Sequence, residues 1–385
     1  MATAASPDPA PGAAPAGGGL KVLFAVHDWG LGHATRDLAL IRGLTGAGHR
    51  VTVLSNGRAL RLLRDELGAS CEFVPLRDIP KPLSRRPAWF YVKMSLAMPM
   101  VLATFARERA FTRRLQRERG FDRIVSDSRF GVCLREVPSY YVFHSLRQII
   151  PGRPYGLEKL VECGQRRLLR RARAILVPDV EDNGGLAGDL SHHPHCDWGG
   201  RLRYLGNLAS VHRRPLAQDV DCFVSISGAE PQRTLLERIV LRDVHRLPGR
   251  VVVALGRPER AGEAPRDDGR VTIHPYLDRN RQEELLNRAR LVVCRSGYST
   301  LMELAELRRP ALFVPTPGQS EQEYLAEYHR SRGHVHAVEQ KHLDLVADVA
   351  RARGLPGLPA VPPTEVSVRR FLAVVTGGTA ELAPK

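Results

Sequence analysis

Ten residues after an apolar run that ends at Val26, the stretch HDWGLGHATR (residues 27–36), hold the first group suited to chemistry. Gly30 and Gly32 allow a ligand to approach the backbone where a helix begins and free N–H groups gather. His33 then stands at the mouth of the cleft that this turn faces. Imidazole exchanges protons near neutral pH, so His33 is a candidate general base. A histidine that only bonds the backbone at a helix start fits the position equally well. Asp127 ends RIVSD, where it can orient that imidazole, act as the base itself, or cap a helix. His144 ends YYVFH and belongs to the same cleft edge, on the acceptor side with Gly30 and Gly32.

The later half carries groups suited to a nucleotide. SISGAEPQRT (225–234) is a strand ending in a glycine before a helix, so N–H groups near Gly228, with Arg233, can receive a diphosphate. RSGYSTLMEL (295–304) places Ser296 and Gly297 at a strand end, hydroxyls at Ser299 and Thr300 around a helix start, and Glu303 in the first turns, where a carboxylate can accept two ribose hydroxyls. PTPGQSEQEY (315–324) adds Gln322 within a polar set able to read sugar hydroxyls. No metal site is expected. HHPHC (192–196) holds ligand-type residues too crowded for ordinary zinc spacing and reads as a loop. The first glycine turn is not GxGxxG, and Ser55-Asn56-Gly57 stands where a dinucleotide site needs an acid, which disfavours a dehydrogenase.

These loops require a scaffold that ends strands beside helix starts. Short β-branched runs alternate with helical stretches at 21–26, 51–55, 71–76, 123–127, 140–144 and 174–178, then again at 221–228, 250–256, 271–277, 291–297, 311–317 and 334–339. That alternation predicts an α/β fold of two doubly wound, Rossmann-like domains with the site between them, at the carboxyl ends of the strands. The expected division is a tail at 1–20, an acceptor-side domain at 21–205, a linker at 206–218, a donor-binding domain at 219–375 and a tail at 376–385. A last apolar-periodic piece, 366–375, is long enough to be a helix that packs back on the first domain.

The chain has 385 residues, 43% of them hydrophobic and 25% charged, and no apolar run long enough to span a bilayer. Its first 20 residues lack the pattern of a secretory signal, and the six cysteines are scattered, so reduced thiols and a cytoplasmic location are expected. The net charge is +16, and residues 21–205, with 31 Lys+Arg against 18 Asp+Glu, carry +13 of it. An anionic partner for that half is implied: phosphorylated substrate, anionic membrane or nucleic acid. The segment from Trp89 to Arg119 mixes apolar and arginine side chains, as does either a membrane-surface helix pair or a core-facing stripe with a solvated face. No nucleic-acid-binding module is present, so nucleic acid is the least favoured partner.

Residues 292–315, VVCRSGYSTLMELAELRRPALFVP, closely resemble the donor-binding segment of the peptidoglycan lipid-intermediate N-acetylglucosaminyltransferases, and more broadly the family 28 C-terminal glycosyltransferase domain. GLGHATR (30–36) is similar to the Gly-x-Gly-His loop of related GT-B proteins, a group that includes a UDP-sugar hydrolase. The resemblance implies a GT-B fold and transfer of a sugar from a nucleoside diphosphate sugar, UDP-linked, to an acceptor hydroxyl, without a metal or other cofactor. It implies that Glu303 binds the ribose, that the loop Ser227–Arg233 surrounds the diphosphate, that Gln322 contacts the donor sugar, and that His33 is catalytic. Glu323 stands where the family has a second glutamine. A lipid-linked acceptor and attachment to the inner face of the cell membrane accompany this reading, and a nucleotide-sugar hydrolase or epimerase on the same scaffold is the alternative.

Overall fold

A computed structural model describes residues 19–79 and 87–377, without the side chains of 87–95. The tails expected at 1–20 and 376–385 fall almost wholly outside the described residues, as do the side chains of Trp89, Phe90, Tyr91, Lys93 and Met94. The first half runs β1 (Lys21–Val26), α1 (Leu31–Gly46), β2 (Arg50–Ser55), α2 (Gly57–Leu67), β3 (Cys71–Pro75), α3 (Pro87–Arg119), β4 (Arg123–Asp127), β5 (Ser139–Val142), α4 (Tyr155–Leu168), β6 (Ala174–Val177) and β7 (Leu202–Tyr204). Its strands form one parallel sheet in the order β3-β2-β1-β4-β5-β6-β7. Helices cover both faces of such a sheet, which is why strands such as KVLFAV are apolar almost throughout rather than alternating.

The second half runs β8 (Cys222–Ser225), α5 (Gln232–Asp243), β9 (Val251–Ala254), β10 (Arg266–Asp267), β11 (Val271–His274), α6 (Arg279–Arg288), β12 (Val292–Cys294), α7 (Tyr298–Leu307), β13 (Ala311–Phe313), α8 (Ser320–Ser331), β14 (His336–Ala337), α9 (Leu345–Ala352) and α10 (Thr364–Thr376). The order here is β10-β11-β9-β8-β12-β13-β14, parallel except at the β10–β11 edge. Each sheet reverses its strand order once, between β1 and β4 and between β8 and β12. Those reversals open crevices at the carboxyl ends, where ligands of such sheets sit.

Two stretches tie the halves together. Residues 205–211 are buried as the chain crosses, and Asn207 donates from Nδ2 to the Met302 carbonyl at 3.1 Å and to Glu306 at 2.8 Å. After α9 the chain returns, and α10 lies on α1: Phe371 is fully buried with its ring 6.4 Å from that of Phe24, and Arg123 Nε donates to the Val375 carbonyl at 2.9 Å. A Cβ on Gly43 would stand 2.5 Å from Val368, so the absence of a side chain there sets how closely α1 and α10 approach.

The expectation of wholly reduced cysteines fails at one pair. Cys163 on α4 and Cys196 in the loop before β7 form a disulfide, their Cα atoms 6.2 Å apart. A separation of 33 residues gives no hint of this, because it is the docking of the loop on α4 that joins them. Glu162, also on α4, accepts the N–H groups of His195 and Cys196 and the indole N–H of Trp198, at 2.8, 2.9 and 3.1 Å.

Candidate active site

The crevice of the first sheet holds a compact charged cluster. Asp127 ends β4 in register with Val26, so it stands beside the loop that carries His27 and leads into α1. The helix begins at Leu31, which puts His33 in its first turn, and His33 Nδ1 lies 3.0 and 3.1 Å from the two Asp127 oxygens. One turn on, Arg36 donates to the same carboxylate from Nε at 3.0 Å and from Nη2 at 2.6 and 2.7 Å. Ser128 adds a hydroxyl bond at 2.9 Å. Burial works against the charge on Asp127, but Arg36 and His33 override it and hold the carboxyl well below its usual range. Burial and the neighbouring Arg36 hold His33 below the ordinary histidine value, against the pull of Asp127.

Arg36 Nη2 also stands 3.0 Å from His33 Nδ1, but it is already committed to both Asp127 oxygens at 2.6 and 2.7 Å, so the ionised Asp127 takes the proton on His33 Nδ1 and Nε2 keeps its lone pair. Reach separates the two candidates for the base: the His33 side chain is 21% exposed and that of Asp127 is 0%. Arg36 also approaches His144 Nδ1 at 3.2 Å. Guanidinium only donates, so His144 Nδ1 accepts and its N–H is at Nε2, pointing toward Glu321 of α8 at 3.5 Å. The His144 ring stacks on Tyr298 of α7, with centroids 4.7 Å apart and planes 9° apart.

The crevice of the second sheet faces this cluster. A Cβ on Gly32 would stand 2.9 Å from Ser299 Oγ, so Gly32 lets the starts of α1 and α7 meet, whereas nothing lies within 4 Å of a Cβ on Gly30. Gly228 has φ +111°, a conformation that favours glycine. Gly297 begins α7, Ser296 is buried and donates to the Gln322 carbonyl at 2.7 Å, and the Gln322 side chain accepts from Thr316 N–H at 2.9 Å and donates to Gln319 at 2.6 Å. Glu303, further along α7, accepts from Ser210 Oγ, and burial raises its pKa. Thr300 stands in the first turn of the same helix.

Residues 236–353 match the glycosyltransferase family 28 C-terminal domain. An uncharacterized glycosyltransferase of Methanopyrus kandleri is 28% identical over 237 residues, 57% of this chain and 64% of that protein. The UDP-N-acetylglucosamine–N-acetylmuramyl-(pentapeptide) pyrophosphoryl-undecaprenol N-acetylglucosamine transferase of Burkholderia multivorans is 26% identical, over 91% of this chain and 95% of its own length. Among solved structures, a glycosyltransferase of kitacinnamycin superposes with TM-score 0.60 at 16% identity, covering 92% of this chain and 94% of its own. MurG of Acinetobacter baumannii does so with TM-score 0.54 at 13%, covering 91% and 94%. This chain is a GT-B glycosyltransferase.

In this glycosyltransferase the fold brings His33, Asp127 and His144 into one hydrogen-bonded group, and gathers Ser296, Gly297 and Gln322 into another. Arg233 belongs to neither: it is tied to Glu230, lies 3.5 Å from Glu237, and donates to the Leu255 carbonyl at 3.2 Å. Arg295, which sequence reasoning passed over, lies buried beneath the glycine loop. It donates to the carbonyls of Ser227, Val314, Pro315 and Gln232 and to the Gln340 side chain, at 2.7 to 3.3 Å, with no carboxylate partner among the described residues. Burial lowers its pKa to about 10, so it stays charged at neutral pH. Arg36 was missed as well. Its signal was present in the sequence, one helical turn after His33 on the same face.

Proposed function

We propose that the enzyme moves a sugar from a UDP-linked donor, held by the second half, to an acceptor hydroxyl delivered against the first. The observation that carries this is His33: its Nδ1 is fixed by a buried, ionised Asp127 and its Nε2 is unpaired among the described residues, at the crevice where α1 meets α7. His33 Nε2 takes the proton as the acceptor oxygen attacks the anomeric carbon. Asp127 holds the ring and stabilises the imidazolium that forms. Backbone N–H groups around Gly228 and at the start of α7, with the Arg295 charge behind them, stabilise the departing diphosphate. Glu303 takes the ribose hydroxyls in exchange for Ser210, and Gln322 reads the sugar.

On this reading the acceptor is lipid-linked and the protein sits at the cytoplasmic face of the membrane. Leu96, Met98, Met100 and Leu102 of α3 are exposed, and the arginines of the same helix follow them, a combination that suits an anionic bilayer surface. The named Burkholderia relative acts on a polyprenyl-linked substrate. No described helix is long and apolar enough to cross a membrane. The test is a panel of nucleoside diphosphate sugars screened by thermal shift and turnover, since a true donor raises the melting temperature by mass action. Absence of a shift with every UDP-sugar overturns the donor assignment, and free sugar released equally fast with and without acceptors makes the protein a hydrolase.

A further inference from the structure

A second histidine–aspartate pair lies beside the first. His27 directly follows β1, is 5% exposed, and places Nδ1 2.6 Å from Asp78 Oδ2. Its ring meets that of His33 edge to face, with centroids 5.4 Å apart and planes 84° apart. Asp78 also accepts the N–H groups of Asp28 at 2.9 Å and Ile79 at 2.7 Å. Burial opposes its charge, but His27 and the Arg129 charge outweigh that and bring its pKa to about 2. His27 Nδ1 thus faces an ionised aspartate at contact distance, though off the line of a hydrogen bond, and Nε2 has no partner among the described residues.

The chain supports this pair with buried charge. Asp78 lies on an irregular segment after β3 that Arg129 fixes by donating to the Leu76 and Arg77 carbonyls at 3.1 and 3.0 Å, while Glu108 of α3, 2.7 Å away, balances Arg129 in the interior. Trp29 closes the other side, its ring 5.1 Å from His27 and its indole N–H on the Ile79 carbonyl at 3.1 Å. Packing alone would be served by an apolar residue at position 27 without the cost of burying a carboxylate.

We propose that His27 and Asp78 read the acceptor, and that the acceptor is therefore a carbohydrate presenting two neighbouring hydroxyls. His33 deprotonates one, and His27 Nε2 accepts a hydrogen bond from the other. A lone alcohol satisfies one imidazole and leaves the other dry and unpaired, a mismatch that polar sites discriminate strongly. The inference rests on His33 as the base of the proposed reaction.

The test follows the imidazole Cε1–H resonances of the full-length protein, saturated with UDP, during titration with octyl β-D-glucopyranoside and separately with octanol. Spectra of His27→Gln and His33→Gln assign the signals. The glucoside is expected to move both resonances and octanol to move that of His33 alone. His27→Ala is expected to weaken the glucoside about tenfold, the worth of one hydrogen bond to a buried group, and His27→Gln, which keeps an acceptor atom, to restore most of it. A glucoside response at His33 alone, or an octanol response at both, overturns the diol reading and leaves His33 as the base. No response at either histidine removes the acceptor site from this crevice and takes the inference with it.

Discussion

Replacing His33 is expected to separate catalysis from binding. His33→Ala should lose about a hundred- to ten-thousand-fold in transfer rate, while calorimetry with UDP is expected to show nearly unchanged affinity, because the proposed nucleotide contacts lie on the other sheet. Asp127→Asn keeps the shape and loses the charge that orients the ring, so its rate falls as well, and equal rates in parent and variant would deny Asp127 that role. Because burial holds His33 below its ordinary value, the base stays deprotonated as pH drops through 6.5, and the acid limb of kcat/KM should lie below that pH. Glu303→Ala is expected to weaken UDP binding by about 1–3 kcal/mol through unpaired ribose hydroxyls. Asp37 offers a test of stability. Burial and the charge of Asp127 raise its pKa well above 3.8, so the folded state holds its proton more tightly than the unfolded chain. The parent therefore loses stability as pH rises above the unfolded value, whereas Asp37→Asn does not. Urea melts should show the variant overtaking the parent toward neutral pH, by about 1.4 kcal/mol for each factor of ten by which folding tightens the hold on that proton. Much of this scale was legible in the sequence, since His33, Asp127 and Glu303 sit at predicted strand ends and helix starts. Arg36 could have been read from its place one turn after His33, but Arg295 and the His27–Asp78 pair could not, because their meaning depends on which neighbours are charged and buried, and no spacing encodes that.

Among the elements, the strands were the most readable: KVLFAV and RIVSD are strands over the ranges expected, because residues buried on both faces leave an unbroken apolar run. The short edge strands β7 and β10 were missed, having three and two residues and little burial. Helix α1 starts at Leu31, directly after the extended Gly30. In helix α3, Val101, Phe105 and Leu115 are core, while Leu96, Met98, Met100 and Leu102 are exposed. Its buried Glu108–Arg129 pair holds the segment after β3 in place. Glu108→Ala would strand the Arg129 charge in the interior and is expected to cost about 3–5 kcal/mol in denaturant unfolding. A variant as stable as the parent would show that Arg129 finds other compensation.

At the scale of the whole molecule, the two crevices meet because the halves are laced together at several levels. Tyr298 donates to the Pro178 carbonyl at 2.7 Å, Asp189 N–H to Tyr324 Oη at 2.7 Å, and His329 Nε2 to the Leu186 carbonyl at 2.9 Å. The two-sheet architecture followed from the alternating pattern, but the crossing contacts join residues more than a hundred positions apart and left no local trace. Phe371→Ala tests the second crossing. It empties a fully buried site on the first sheet and is expected to cost about 3–5 kcal/mol, with the loss falling on the half to which residue 371 does not belong in sequence. That same helix has a consequence for biosynthesis. The first sheet leaves the ribosome early, yet the face of α1 that α10 covers stays bare until residues 364–376 have been made. Throughout translation of the second half the nascent enzyme therefore displays an apolar groove ready for a chaperone, and its first half is completed last.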